Sequence, residues 1–349
     1  MTDSSDRKPR RVRYQGKNPR SFQDKYKELQ PDKYPEDVAK VIAAGKTPAG
    51  SHRPIMVNEI LSALNPKPGD FVADCTLGFG GHARELLAAI QPGGRFLGID
   101  VDPIELPKTE LRLRSLGYDD QSIVVSRTNF AGIQNVFRTE APLGVQVILA
   151  DLGVSSMQLD DPSRGFTFKS DGPLDMRMNP NRGASAATLL NGLDVVAFAA
   201  MLEENSDEPH ATQIARAILD ANARVAIETT LVLAEVIRVC VVARKQCGID
   251  DVSDATRRVF QSLRIAVNDE FAVLDAFLKQ VPQCLTAGGR VAILTFHSGE
   301  DRRVKNAFKS GLANGMYQSI AGEVTRASIQ EQHANPRSKS AKLRFAVRA

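Results

Sequence analysis

Downstream of residue 50 the chain alternates short apolar runs with stretches of helical spacing. Phe71–Leu77 is a compact apolar run, Gly78-Phe79-Gly80-Gly81 interrupts it, and Ala83–Ile90 resumes with apolar residues three and four apart. That pattern predicts a strand, a glycine loop and a helix, the opening βα unit of a doubly wound sheet. Further apolar runs at Arg95–Ile99, Ser122–Ser126 and Val145–Ala150 each end in a polar residue or turn, which predicts three more buried strands. The rhythm then changes. Asp160–Ala184 is rich in Gly, Pro and Asp and reads as loop, and Ala186–Leu278 reads as successive amphipathic helices. Strand character returns after Ala287-Gly288-Gly289 with Arg290–Thr295, and Lys342–Arg348 alternates as a last edge strand is expected to.

The predicted fold is therefore α/β, a Rossmann-like sheet interrupted by an all-helical insertion. The expected boundaries are a leader at 1–50, a discontinuous sheet domain at 51–158 and 266–349, and the insertion at 159–265. A length of 349 residues with 42% hydrophobic content is enough for such a core and one added module. No apolar run approaches the roughly 18 residues of a membrane span, and no apolar secretory segment opens the chain, so a cytoplasmic protein without membrane contact is expected. Cys75, Cys240, Cys247 and Cys284 are scattered, as are the five histidines, and suggest neither a disulfide framework nor a metal site. Charge matters mainly by its distribution: residues 1–50 hold 12 Lys/Arg against 7 Asp/Glu, while the whole chain carries only +4. Arg7-Lys8-Pro9-Arg10-Arg11-Val12-Arg13 therefore reads as a disordered arm for a polyanion or as a solubilising leader. Pro35–Ala44 has short helical character.

The glycine loop also fits the dinucleotide fingerprint G-x-G-x-x-G/A, so a nicotinamide enzyme competes with a methyltransferase. Glycines at 78, 80 and 81 let backbone approach either cofactor. Asp100, ending the next strand, could accept ribose hydroxyls in both. Asp74 distinguishes them. An acid inside the first strand is costly beside a dinucleotide but suits a cationic sulfonium and an amino-acid moiety. The loop therefore favours S-adenosylmethionine.

Longer segments carry a family resemblance. His52-Arg53-Pro54-Ile55-Met56, Asp74 through His82, Asp151-Leu152-Gly153-Val154-Ser155-Ser156-Met157-Gln158-Leu159-Asp160, Arg164-Gly165-Phe166-Thr167-Phe168 and Gly172-Pro173-Leu174-Asp175-Met176-Arg177-Met178 occur in order. Thr256-Arg257-Arg258-Val259-Phe260-Gln261, Phe296-His297-Ser298-Gly299-Glu300-Asp301-Arg302 and Asn335-Pro336-Arg337-Ser338 follow. From about His52 onward the chain resembles the RsmH (MraW) family of 16S ribosomal RNA cytosine-N4 methyltransferases. The resemblance implies a class I methyltransferase whose helical insertion recognises substrate. It implies S-adenosylmethionine held by Gly80, Gly81 and His82, by Asp100 on the ribose, by Phe130 near the adenine, and by Asp151 and Gln158. No metal is expected, given the scattered cysteines and histidines. The implied partner is small-subunit ribosomal RNA within the 30S subunit, in the decoding region, and the assembly is compatible with a homodimer.

Asp151 stands where amino-methyltransferases place the acidic or amide residue of a D-P-P-Y-like motif, with Leu152-Gly153 replacing the prolines, and is the expected catalytic residue. It should reach either the donor or the target amine. C5 methylation would need a cysteine on a loop at the sheet's carboxyl edge, and none of the four is predicted there. Ser155, Ser156, Arg177, His297, Ser298 and Arg302 are candidate substrate contacts. Ser298 and Asp301 equally fit a helix N-terminus. Arg177, Arg257, Arg258, Arg264, Arg302, Arg303, Arg337, Lys339, Lys342 and Arg344 are candidates for phosphate. The chain departs from the family at Gly299, where Leu is usual, at Ser206-Asp207-Glu208, where Gly-Glu-Glu is usual, and in its basic leader. A paralogue acting on another RNA cytidine, and a donor-binding but non-catalytic ribosome-assembly factor, are the rival readings.

Overall fold

The computed structural model describes residues 54–243 and 248–349, so the leader, Pro35–Ala44 and Cys247 lie outside the described residues. Seven strands form one sheet: β1 (Phe71–Asp74), β2 (Arg95–Asp100), β3 (Ile123–Arg127), β4 (Val145–Asp151), β5 (Leu285–Thr295), β6 (Tyr317–Ile320) and β7 (Lys342–Arg348). Their order is β3-β2-β1-β4-β5-β7-β6. The first five pair parallel with one another, whereas β7 runs antiparallel to both β5 and β6. This is the Rossmann-like sheet expected from the sequence. Crossing over at β1 and β4 leaves the carboxyl ends of these two strands side by side, where ligands bind in open α/β sheets.

The helices before the insertion are α1 (Val57–Leu64), α2 (Gly81–Ile90), α3 (Glu105–Ser115) and α4 (Ile133–Glu140). Side chains alternate along each strand and feed two cores. Val72, Phe96, Val147, Leu149 and Leu294 pack on one face with Ile60, Leu86, Leu87 and Leu113 of α1 to α3. Ala73, Leu97, Ile99, Ile148 and Ile293 pack on the other with Ile133 and Phe137 of α4. Burial on both faces explains why these strands read as continuous apolar runs.

Between β4 and β5 lie α5 (Ser156–Asp160), α6 (Ala186–Asn191), α7 (Val195–Ser206), α8 (Ala211–Arg224), α9 (Thr230–Val242), α10 (Ile249–Asn268) and α11 (Glu270–Cys284). Phe198, Leu202, Ile214, Ile218, Leu233, Ile237, Val259 and Leu263 form a third core from α7 to α10. Helix α11 instead returns Leu274, Phe277 and Val281 to the sheet core. After β5 come α12 (Ser298–Ala313) and the short α13 (Ile329–Ala334). Two expectations need correction. Strand β7 is not the edge, because β6 pairs with its outer side; β6 is four residues with only Tyr317 buried and presents too little alternation to be seen. Strand β5 starts at Leu285, so Ala287-Gly288-Gly289 lies inside the strand, with a register shift against β4. Among the described residues no helix is long and apolar enough to cross a membrane.

Candidate active site at the carboxyl edge

Strand β1 delivers Asp74 and the glycine loop. Gly80 has φ +80°, and a Cβ there would stand 2.8 Å from Thr109 Cγ2. At Gly81 a Cβ would meet Pro54 Cγ at 2.6 Å, so this glycine is required by packing against the segment before α1. Helix α3 clamps the loop from outside: the Thr109 hydroxyl donates to Gly78 O (2.6 Å), and the Arg112 guanidinium lies 3.6 Å over the Phe79 ring. Asp100 accepts the Gly78 N–H (2.7 Å) through one carboxylate oxygen and the Asp102 N–H (2.9 Å) through the other. Burial raises its carboxyl above the usual range.

The ends of β1 and β4 are stitched by Thr76. Its hydroxyl oxygen accepts the Asp151 N–H (2.6 Å), while its own N–H donates to Asp74 Oδ1 (3.0 Å). The His82 ring, at the start of α2, places Nε2 2.9 Å from Ile55 O and Nδ1 3.5 Å from Asp151 Oδ2. Only an N–H can bond a carbonyl, so Nε2 carries the proton and Nδ1 turns its lone pair toward Asp151. Burial lowers the pKa of His82, consistent with a neutral ring. Burial pushes the Asp74 carboxyl up to about 6 and the Asp151 carboxyl up to about 7, the latter helped by the Glu300 charge. Asp151 Oδ1 is buried without a hydrogen-bond partner among the described residues. One acceptor at this edge is therefore uncommitted.

Gln158 is engaged on both sides of its amide. Its oxygen accepts the Ser155 N–H (2.8 Å), completing a capping box at the start of α5, and its nitrogen donates to Asp102 Oδ2 (2.6 Å). The same Asp102 oxygen receives Arg164 Nη1 (2.9 Å), and Arg164 Nη2 donates to Met178 O (2.8 Å). Asp102 and Arg164 are 1% and 8% exposed, so a buried ion pair ties the loop after β2 to the loop entering the helical segment. Ser156 is the first residue of α5. Phe130 sits in a 3-10 turn after β3 with its ring edge-on to Phe277, centroids 5.1 Å apart.

After β5, His297 is the N-cap position of α12, and the cap role considered for Ser298 is not realised. The Ser298 hydroxyl donates instead to Asp207 Oδ2 (2.8 Å), and Arg302 approaches Asp207 at 3.8 Å. The two departures from the family, Gly299 and Ser206-Asp207-Glu208, thus adjoin in space. Glu300 is buried, accepts the Phe296 N–H (2.8 Å) and lies 3.1 Å from His297 Nε2. Burial opposes its charge, but the His297 contact and Arg264 prevail and its pKa falls. The Arg177 guanidinium is turned to its own loop, donating to Asp175 through Nε (2.8 Å) and Nη2 (2.6 Å) and to Gly183 O through Nη1 (3.2 Å), while its carbonyl accepts from Arg164 Nη2 (3.2 Å). Against expectation Cys75 stands in the turn just after β1, at the carboxyl edge, but it is buried and burial raises its thiol well above the usual value; Cys240 lies within α9, and burial raises Cys284, the last residue of α11, to about 12.

The description "MraW methylase family" matches residues 49–349. The chain belongs to the MraW methylase family. Among curated MraW relatives, "Ribosomal RNA small subunit methyltransferase H 2" of Alkaliphilus metalliredigens is 48% identical over 351 residues, covering 100% of both chains. "Ribosomal RNA small subunit methyltransferase H 1" of Lachnoclostridium phytofermentans is 48% identical over 342 residues, 97% of this chain and 93% of that one. "Ribosomal RNA small subunit methyltransferase H" of Acidobacterium capsulatum is 38% identical over 299 residues, 84% of this chain and 97% of that one. The first of these alignments spans the whole chain, the leader included, whereas the family model begins at residue 49. Thr76, Asp102, Arg164 and Glu300 escaped sequence reasoning. Arg164 and Glu300 lie inside segments that carry the resemblance, so their signal was present, but nothing in the sequence identifies their partners.

Proposed function

We propose that the protein transfers the methyl group of S-adenosylmethionine to N4 of a cytidine in small-subunit ribosomal RNA, acting in the cytoplasm on the 30S subunit, in its decoding region. The observation that carries this is Asp151: a carboxylate at the end of β4 with Oδ1 buried and unpartnered and Oδ2 beside the His82 lone pair. The names of the MraW relatives support the RNA class.

The donor set fits the methyl donor. Asp74, Asp100 and Asp151 cluster closely enough that the latter two raise the pKa of Asp74. A cation among them relieves that repulsion, and S-adenosylmethionine is cationic where dinucleotides are anionic. Gly80, Gly81, His82 and Asp74 would hold its amino-acid end, Asp100 its ribose and Phe130 its adenine. Gln158 would act through Asp102, since both sides of its amide are committed. Bound, the donor supplies an electrophilic methyl carbon on positively charged sulfur.

Cytosine N4 is a poor nucleophile because its lone pair is delocalised into the ring. Asp151 accepts one N4–H, concentrating density on nitrogen and fixing the amine's orientation. As the new C–N bond forms, Asp151 takes the departing proton, a task suited to a carboxyl whose pKa is about 7. His82 Nδ1 stands ready to share it. Ser155, Ser156, His297, Ser298 and Arg302 are proposed to shape the RNA side of the pocket.

Purified protein, methyl-labelled donor and small subunits from cells lacking their own N4-cytosine enzyme provide the test. N4-methylcytidine in the digested RNA, lost with Asp151→Asn, is the expected outcome. Donor binding without label in subunits, naked ribosomal RNA, tRNA or DNA would overturn the proposal in favour of a non-catalytic assembly factor.

A further inference from the structure

Gly153 lies two residues beyond Asp151, with φ +95°. A Cβ at that position would stand 3.9 Å from Phe296 Cδ2 and 4.0 Å from Arg264 Nη1, with nothing closer. Two side chains from distant parts of the chain therefore meet over the backbone just past Asp151: the partly exposed Phe296 ring, which follows β5, and Arg264 from α10. Arg264 is held rigidly. Its Nε and Nη2 both donate to the Glu270 carboxylate at 2.8 Å, a bidentate fork that leaves Nη1 with no hydrogen bond to the described protein. Phe296 is fixed in turn by its N–H bond to Glu300.

We infer that Arg264 reads the target base, its Nη1 donating to the N3 and O2 acceptor edge of the cytosine ring while Phe296 packs against the ring. This rests on the cytidine-N4 reading above. A planar pyrimidine lying over Gly153 presents its amine toward Asp151 and its acceptors toward Arg264, so opposite groups on one edge of the base meet opposite groups of the protein. The Glu270 fork holds Nη1 in place before the base arrives, which limits the side-chain entropy lost on binding. Uracil offers an N3–H donor in place of the N3 acceptor, so the same nitrogen rejects it. Phosphate binding by Arg264 is disfavoured because two of its three donor nitrogens already serve a carboxylate.

The test places 3-deazacytidine, which keeps the amine but has C–H in place of N3, at the mapped target in reconstituted small subunits; 2-thiocytidine, whose sulfur accepts weakly, probes O2. Wild-type enzyme should lose about 10- to 100-fold in kcat/KM on at least one analogue, the range for one charge-assisted hydrogen bond. Arg264→Lys should lose a similar factor on cytidine itself, discriminate neither analogue further, and retain donor affinity and thermal midpoint. Equal wild-type rates on cytidine and both analogues would overturn the inference, and this comparison decides the matter even if the variant does not fold. A uniform loss in Arg264→Lys with a shallower salt dependence would make Arg264 a phosphate contact and overturn it equally. Failure of the wild type to form N4-methylcytidine on unmodified subunits would instead overturn the parent reading.

Discussion

Replacing Asp151 by asparagine should stabilise the ligand-free protein while abolishing its activity. Burial and the Glu300 charge raise the carboxyl from 3.8 to about 7. At about 1.4 kcal/mol per unit, holding it ionised at pH 8 costs the fold at most roughly 4 kcal/mol. The side chain is 29% exposed, and solvent screening brings the working figure to about 1–2 kcal/mol. The sign follows from proton affinity. The folded state binds this proton more tightly than the unfolded chain, so the associated stability is complete below pH 4 and is lost as pH rises through about 7. Asparagine keeps the shape and has no charge to desolvate. Urea denaturation followed by circular dichroism at about pH 5 and about pH 8 should show Asp151→Asn gaining stability over wild type mainly at the higher pH. Methylation should fall by about 100-fold or more, the usual contribution of a positioned proton acceptor. A variant less stable than wild type at pH 8, or a difference independent of pH, would mean that Asp151 is held by favourable contacts and would refute the reasoning.

Arg164→Met leaves the buried Asp102 carboxylate without its cation, with only the Gln158 amide and backbone N–H groups to serve it, and should cost about 3 kcal/mol in urea denaturation; combined with Asp102→Asn, the loss should fall well short of the sum of the single changes. At Gly299 a Cβ would stand 2.5 Å from Phe271 Cζ, so Gly299→Ala should lower stability by about 1–3 kcal/mol, with part recovered when Phe271→Leu removes the ring, as thermal denaturation will report. Because Asp151 must be ionised to accept the amine's proton, kcat/KM should rise with pH through about 7 and then level, and a flat or falling profile would exclude it as the acceptor.

The sheet was legible where strands are buried on both faces, since β1, β2 and β4 must be apolar at nearly every position. Legibility failed at the antiparallel end. Tyr317-Gln318-Ser319-Ile320 buries one residue fully and depends on pairing with β7, information that lies 25 or more residues away. The same division holds for the site. Asp100 and Asp151 could be placed because each ends a recognisable strand, whereas Asp74, expected inside the first strand, is the last residue of β1 because the apolar run continues past the strand into the turn. Arg164 could not, because its meaning comes from Asp102, 62 residues earlier in the chain and 2.9 Å away.

The same physics redistributes the cations. Of the ten proposed for phosphate, only Lys339 lacks a carboxylate partner among the described residues; the others meet Asp175, Asp254, Glu208, Glu270, Asp207, Asp275, Asp160 or Asp301. Paired does not mean unavailable, and exposure decides which partners can be exchanged. Arg258 faces a wholly buried Glu208, and Arg344 and Asp301 are mostly buried, so giving up either contact for RNA would strand a desolvated carboxylate. Arg257 with Asp254, and Arg302 with Asp207, are more than half exposed on both sides. Such pairs contribute about 0–1 kcal/mol and are weakened further by salt, so a phosphate can replace the carboxylate at little cost. Arg302 lies one turn beyond Ser298 on α12, and both residues meet Asp207. Of the ten candidates, Arg257, Arg302 and Lys339 are therefore the ones we propose for RNA phosphate, and a steeper loss of binding with salt in the wild type than in their Ala variants is the check.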